Sequence, residues 1–172
     1  MDLRLVPYRP EYLEPFLRWR QQATTVRYNP VRDLDRAGLV AMLEGEGHDL
    51  SDYPMHTSYR WFVALDGEVM GSICLKDISI DMRYAEIGYS FGEAWHGRGL
   101  GTAAVRLALS RIWAQSTLRK LLAYVHVDNL ASWRLLERLG FQREGLLREH
   151  FLIQGAPADE ALYGLLRSEW SG

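Results

Sequence analysis

Apolar positions along the chain change period several times, and each change marks an element. Leu3 to Tyr8 alternates and stops at Pro10, which predicts a short strand. Leu13, Phe16 and Leu17 fall at helical spacing, predicting a helix to about Gln22; Pro15 fits only in its first turn, so it starts late. Asp33 or Asp35 can cap a second helix running to about Leu43. Residues 45 to 56, GEGHDLSDYPMH, carry no period and read as a long loop, which in a compact domain serves as a functional flap or a mobile excursion. Tyr59 to Leu65 and Glu68 to Leu75 flank Asp66-Gly67, a short hairpin signal. Met82 to Phe91 is a third strand, with Gly88 inside it marking a bulge or a close approach. From about Gly99 the period is helical again, with Val105, Leu109 and Ile112 on one face. Lys120 to Val127 is a strand; Asn129 then caps a short helix with the stripe Leu135, Leu136 and Leu139, closed by Gly140. The tail reads as two strands joined by the Gly/Pro loop GAPAD. An antiparallel hairpin followed by β–α–β–α–β–β predicts a mixed α/β fold.

Composition narrows the class. The 172 residues suit one domain, 1–172, and 48% apolar with 24% charged residues excludes wholesale disorder. Twenty Lys and Arg against 22 Asp and Glu give a net charge of −2, without the basic excess of a nucleic-acid footprint. No apolar run approaches the ~18 residues of a membrane span. The N-terminal residues lack a signal-peptide core, and the single Cys74 permits no internal disulfide, so a cytoplasmic protein is expected. No cluster has metal-ligand spacing, and no metal is expected.

Chemistry concentrates in residues 86–104, EIGYSFGEAWHGRGLGTAA. A strand runs through a short connection into Gly97-Arg98-Gly99-Leu100-Gly101, which opens a helix. Alternate glycines let a ligand approach the backbone, and a helix N-terminus presents N–H groups to an anion, so the segment reads as a phosphate or pyrophosphate cradle. The bland alternative is a tight strand–helix turn without a ligand. A dinucleotide fingerprint is excluded because Thr102 stands where its third glycine belongs, and no Walker-type loop occurs.

His96-Gly97-Arg98-Gly99-Leu100-Gly101 resembles the acetyl-CoA loop of the GNAT superfamily of N-acetyltransferases. Asn129-Leu130-Ala131-Ser132 and Leu139-Gly140-Phe141 resemble that family's next two motifs, in order and at the right spacing after Ala85 to Phe91. The RimJ/RimL-like subgroup is the nearest in pattern, and the match spans roughly Arg4 to Trp170. The resemblance implies a mostly antiparallel sheet flanked by helices, with a strand splayed open at the acetyl-CoA site. It implies acetyl-CoA as co-substrate and a primary amine, on a peptide N-terminus or a small molecule, as acceptor. Members commonly dimerise, which leaves a homodimer open. Carried over residue by residue, the resemblance gives pyrophosphate to the amides of Arg98, Gly99, Leu100, Gly101 and Thr102. A backbone donor near Ser90 or Phe91 would meet the thioester carbonyl, Asn129 would meet pantetheine, and Ser132 would meet the leaving sulfur. Two positions depart from the pattern: His96 replaces the usual Gln or Arg, and Leu136 stands where many members carry a tyrosine acid.

Glu86 is the candidate base, two residues before Gly88; the alternative is a strand glutamate on a solvated face or paired with an arginine such as Arg83. His126, His150, Glu149 and Asp159 are rival bases, although His126 alternates within an apolar strand and reads as core. The acidic run Glu44, Glu46, His48, Asp49 and Asp52 either attracts a cationic acceptor or is a solvated loop. A non-catalytic acyl-CoA-binding module of the same fold is the competing function.

Overall fold

The computed structural model describes residues 2–31 and 33–172, and in it the alternating segments become strands. These are β1 (Leu3–Val6), β2 (Tyr59–Leu65), β3 (Glu68–Ser79), β4 (Tyr84–Phe91), β5 (Lys120–His126), β6 (Gln142–Ile153) and β7 (Ala156–Leu166). They form one seven-stranded sheet in the order β1-β2-β3-β4-β5-β7-β6. Every junction is antiparallel except β4–β5, which is parallel. The helices are α1 (Leu13–Gln21), α2 (Ala23–Tyr28), α3 (Arg36–Gly45), α4 (Leu100–Gln115) and α5 (Leu130–Arg138). The mixed, mostly antiparallel sheet flanked by helices is the architecture expected.

Sheet parity sorts side chains into two layers. On one face Ile73, Ala85, Ile87, Leu121, Ala123, Val125, Tyr163 and Leu165 pack under α4, which contributes Ala104, Val105, Ala108, Leu109 and Ile112. Two alanines on that helical stripe bring the helix axis close to the sheet. On the other face Phe62 gathers Leu13, Phe16 and Trp19 of α1 with Leu39 and Leu43 of α3. Cutting such side chains back to alanine typically costs about 2–5 kcal/mol, which is why the sheet is a firm base for a site.

Several local expectations need correction. Asp35, rather than Asp33, caps α3, accepting from Gly38 N–H at 2.7 Å. The unexpected α2 begins after Gln22 breaks α1 with extended backbone (ψ 151°). The turn before β7 is Gln154-Gly155, both left-handed (φ 52° and 78°), so Pro157 and Asp159 belong to the strand and not to a loop. Residues 45–57 are strapped to β2: Gly47 bridges to Tyr59, Leu50 is buried, and Trp61 Nε1 donates to His48 O at 2.7 Å. Its acidic residues are occupied too. Glu46 takes a forked bond from Arg60 (2.6 and 3.1 Å), and Asp52 accepts from the Tyr59 hydroxyl at 3.0 Å. Among the described residues no helix is long and apolar enough to cross a membrane.

Candidate active site

The site begins where two strands part. β4 and β5 pair only at Tyr84, Ala85 and Glu86 against Lys120, Leu121 and Leu122. Beyond that β4 stays on β3 through Phe91 while β5 stays on β7 through His126, so a wedge opens along residues 87–91. Gly88 lies in regular register opposite Cys74, with no bulge; an added Cβ would sit 3.0 Å from Cys74 Sγ. Gly92 N–H donates to Met70 O at 2.9 Å, and the β3–β4 register is regular down to Glu86. Alternation therefore turns the Ser90 amide into the β3 ladder and those of Tyr89 and Phe91 toward the wedge. Ser90, expected as a backbone donor there, does not face it; Phe91 does. The Phe91 carbonyl is held by Gln22 Nε2 at 2.8 Å and His96 Nε2 at 2.9 Å, so the His96 ring is drawn onto the strand end.

At the mouth of the wedge stands the N-terminus of α4. Gly97 and Gly99 adopt left-handed backbone (φ 74° and 73°), which sends the chain sharply from strand to helix. The Ala103 N–H is the first to close onto the helix, donating to Gly99 O at 3.2 Å. The amides of Leu100, Gly101 and Thr102 come before it, where helix N–H groups lack intrahelical acceptors. A Cβ on Gly99 would meet nothing within 4 Å, whereas one on Gly101 would press on the Phe91 ring at 3.2 Å and Leu135 at 3.3 Å. Arg98 lies over the Trp95 ring, 5.5 Å from its centroid. These features fit an anionic ligand that touches backbone, as the pyrophosphate of acetyl-CoA does.

Asn129 caps α5, its Oδ1 accepting from Ser132 N–H at 3.2 Å. Ser132 Oγ lies 2.7 Å from the hydroxyl of Tyr89. Burial raises the Tyr89 hydroxyl far above its ordinary range, so it remains a neutral donor. Leu136 is fully buried in the core. Tyr89 was legible only in hindsight: it alternates with Ile87 and Phe91 on the inward face, where a tyrosine hydroxyl needs a partner.

The opposite face of the wedge is acidic. Glu86 points away from α4 and pairs with Lys76 Nζ at 3.0 Å, in place of the Arg83 considered from sequence. Burial lifts the Glu86 carboxyl above the usual carboxylate range despite the pull of Lys76, and Asp77 adds to the lift. Glu160 of β7, opposite His126, is 2% exposed, and its Oε1 has no hydrogen-bond partner. Burial, with the charge of Glu86 behind it, pushes Glu160 up to about 7. The His150 ring stacks on Tyr124 at 5.4 Å, while the His126 ring meets Tyr28 of α2 at 5.4 Å and accepts from Asp128 N–H at 3.1 Å. Asp159 is engaged by Glu149 N–H at 2.7 Å. Among the described residues no group of three or more His, Cys, Asp or Glu is arranged to hold a metal ion.

Comparison with known proteins agrees with this geometry. The chain is 34% identical over 107 residues to a putative ribosomal N-acetyltransferase of Bacillus subtilis (strain 168), covering 62% of this chain and 58% of that one. It is 29% identical over 157 residues to an uncharacterized N-acetyltransferase of Bacillus licheniformis, covering 90% and 86%. Mycobacterium smegmatis RimJ, solved in complex with CoA-disulfide, superposes with a TM-score of 0.85 at 24% identity, covering 97% of this chain and 83% of that one. The model of the acetyltransferase (GNAT) domain matches residues 2–142, and the chain belongs to that family.

Proposed function

We propose that this chain is an acetyl-CoA-dependent N-acetyltransferase that passes the acetyl group directly to a primary amine. The acceptor is a protein or peptide N-terminus or a small-molecule amine, and the site of action is the cytoplasm. The observation that carries this reading is the wedge between β4 and β5, flanked by a glycine-opened helix N-terminus on one side and carboxyls on the other. The amides of Leu100, Gly101 and Thr102 hold the pyrophosphate, helped by Arg98. The unpaired edge of β4 adds the pantetheine amides as a further strand would, together with Asn129. A wedge-facing N–H, that of Phe91 or Tyr89, stabilises charge developing on the thioester oxygen. Ser132, bonded to Tyr89, supplies a proton to the leaving sulfur. That hydroxyl pair does the work for which Leu136 has no group, which favours an enzyme over a silent acyl-CoA-binding module.

The test has two stages. Titration calorimetry with EDTA present is expected to show saturable acetyl-CoA binding. Thiol release against a panel of peptides, polyamines and other primary amines is then expected to exceed background hydrolysis for at least one acceptor. Binding without amine-dependent thiol release would leave only the acyl-CoA-binding module.

A further inference from the structure

The two carboxyls beside the wedge live in different environments, and groups so separated take different roles. Glu86 already has a cation, the Lys76 ammonium at 3.0 Å. Glu160 has none. Its strand register, opposite His126 on β5 and Leu147 on β6, turns its side chain to the face that Glu86 occupies, away from α4. It is 2% exposed with a bare Oε1, and a buried oxygen without a hydrogen bond costs stability unless something arrives to meet it. Building on the acetyl-transfer reading above, we propose that Glu160, rather than Glu86, receives the proton of the incoming amine.

The step balances simply. An ammonium enters from the α2 side and gives one proton to Glu160 Oε1, becoming the neutral nucleophile. Its nitrogen lone pair forms the C–N bond while the C–S bond of the thioester breaks. The second nitrogen proton ends on the thiol sulfur through Ser132, and Glu160 returns its proton to solvent. Glu86 already has the Lys76 ammonium as its partner and is not the acceptor in this step. Strand register and ring contacts put these titratable groups on the same face of the sheet as Glu160: Glu86 of β4 with Lys76 and Asp77 of β3 beside it, Tyr124 and His126 of β5, His150 of β6 on the Tyr124 ring and Tyr28 of α2 on the His126 ring. Among these, the charge of Glu86 helps hold Glu160 near neutrality, where a base is most effective.

The experiment is kcat/KM against pH for wild type, Glu160→Gln and Glu86→Gln, on the amine found by thiol release, with acetyl-CoA affinity measured in parallel. Wild type is expected to lose activity through an acidic limb near 7. Glu160→Gln should erase that limb and lower the rate by about 10²-fold or more while acetyl-CoA affinity holds. Glu86→Gln should keep the limb and move it to lower pH, a readout that does not depend on the Glu160 variant folding. An unchanged limb in Glu160→Gln, or loss of the limb in Glu86→Gln alone, overturns the assignment of Glu160 and leaves acetyl transfer standing. A wild type that binds acetyl-CoA and acetylates no amine overturns both.

Discussion

The Tyr89 hydroxyl lies 2.7 Å from Ser132 Oγ, joining the inward face of β4 to the first turn of α5 across the mouth of the wedge. Neither residue is charged near neutral pH, because burial raises Tyr89 further from ionisation. One hydroxyl can therefore donate to the other while the second donates outward to sulfur. Ser132→Ala is expected to slow turnover by about 10²-fold or more, and Tyr89→Phe by less, with about 1 kcal/mol of stability lost in either case. If the two act as one relay, the double variant loses no more rate than Ser132→Ala alone. Thiol-release rates for the four proteins of the cycle decide it; losses that simply add would make Tyr89 a packing residue.

Glu160 also ties stability to pH. Its folded-state carboxyl titrates near 7, above the unfolded carboxylate range, so between those limits the folded chain holds a proton that the unfolded chain releases. Stability from this group is thus highest in mild acid and falls as pH rises through about 7, by on the order of 3 kcal/mol at most. Urea midpoints measured from about pH 5 to 8 should decline for wild type and flatten for Glu160→Gln. Matching slopes in the two proteins would mean that Glu160 is solvated.

How much of this was legible in sequence depends on how local the signal was. The cradle was readable because its glycines must lie in alternate positions of one turn, and the Asp66-Gly67 hairpin because both residues sit at positive φ (49° and 91°). The acidic run of residues 44–52 misled, since Glu46 and Asp52 find partners in Arg60 and Tyr59 that only the folded β2 supplies. Helix α2, six residues with two threonines and a valine, has too little period to stand out. Glu160 was hidden for a longer-range reason. It sits in the apolar segment EALYGLL, and only the β5–β7 register shows that it faces away from Ala161, Tyr163 and Leu165 toward Glu86.

The two cradle glycines should fail differently. Gly99 has φ 73° and open space where a Cβ would go, so Gly99→Val is strained by about 1–3 kcal/mol and places its side chain in front of the α4 amides. Gly101 is crowded by Phe91 and Leu135, so Gly101→Val should shift the strand end that carries the wedge-facing amide. Calorimetry is expected to find acetyl-CoA binding weakened at least tenfold in both, with Gly101→Val also perturbing tyrosine and tryptophan fluorescence near the wedge. Full affinity in either variant with a normal melt would remove that glycine from the cradle.

Lys76 is the lever by which Glu86 and Glu160 can be told apart without touching either. Its ammonium, lowered by burial but raised overall by the charge and hydrogen bond of Glu86, pulls the Glu86 carboxyl down against that carboxyl's own desolvation. Lys76→Met keeps most of the side-chain bulk and removes the cation. Glu86, left with burial and Asp77, then rises further. A Glu86 that holds its proton more strongly repels charge on Glu160 less, so Glu160 ionises at lower pH. The acidic limb of kcat/KM should therefore move down in Lys76→Met. A base at Glu86 predicts the reverse displacement, because raising its own titration would carry the limb upward. The direction of that single shift, read from one variant and one amine, separates the two carboxyls; because they are coupled, the limb reports the pair and its displacement carries the assignment.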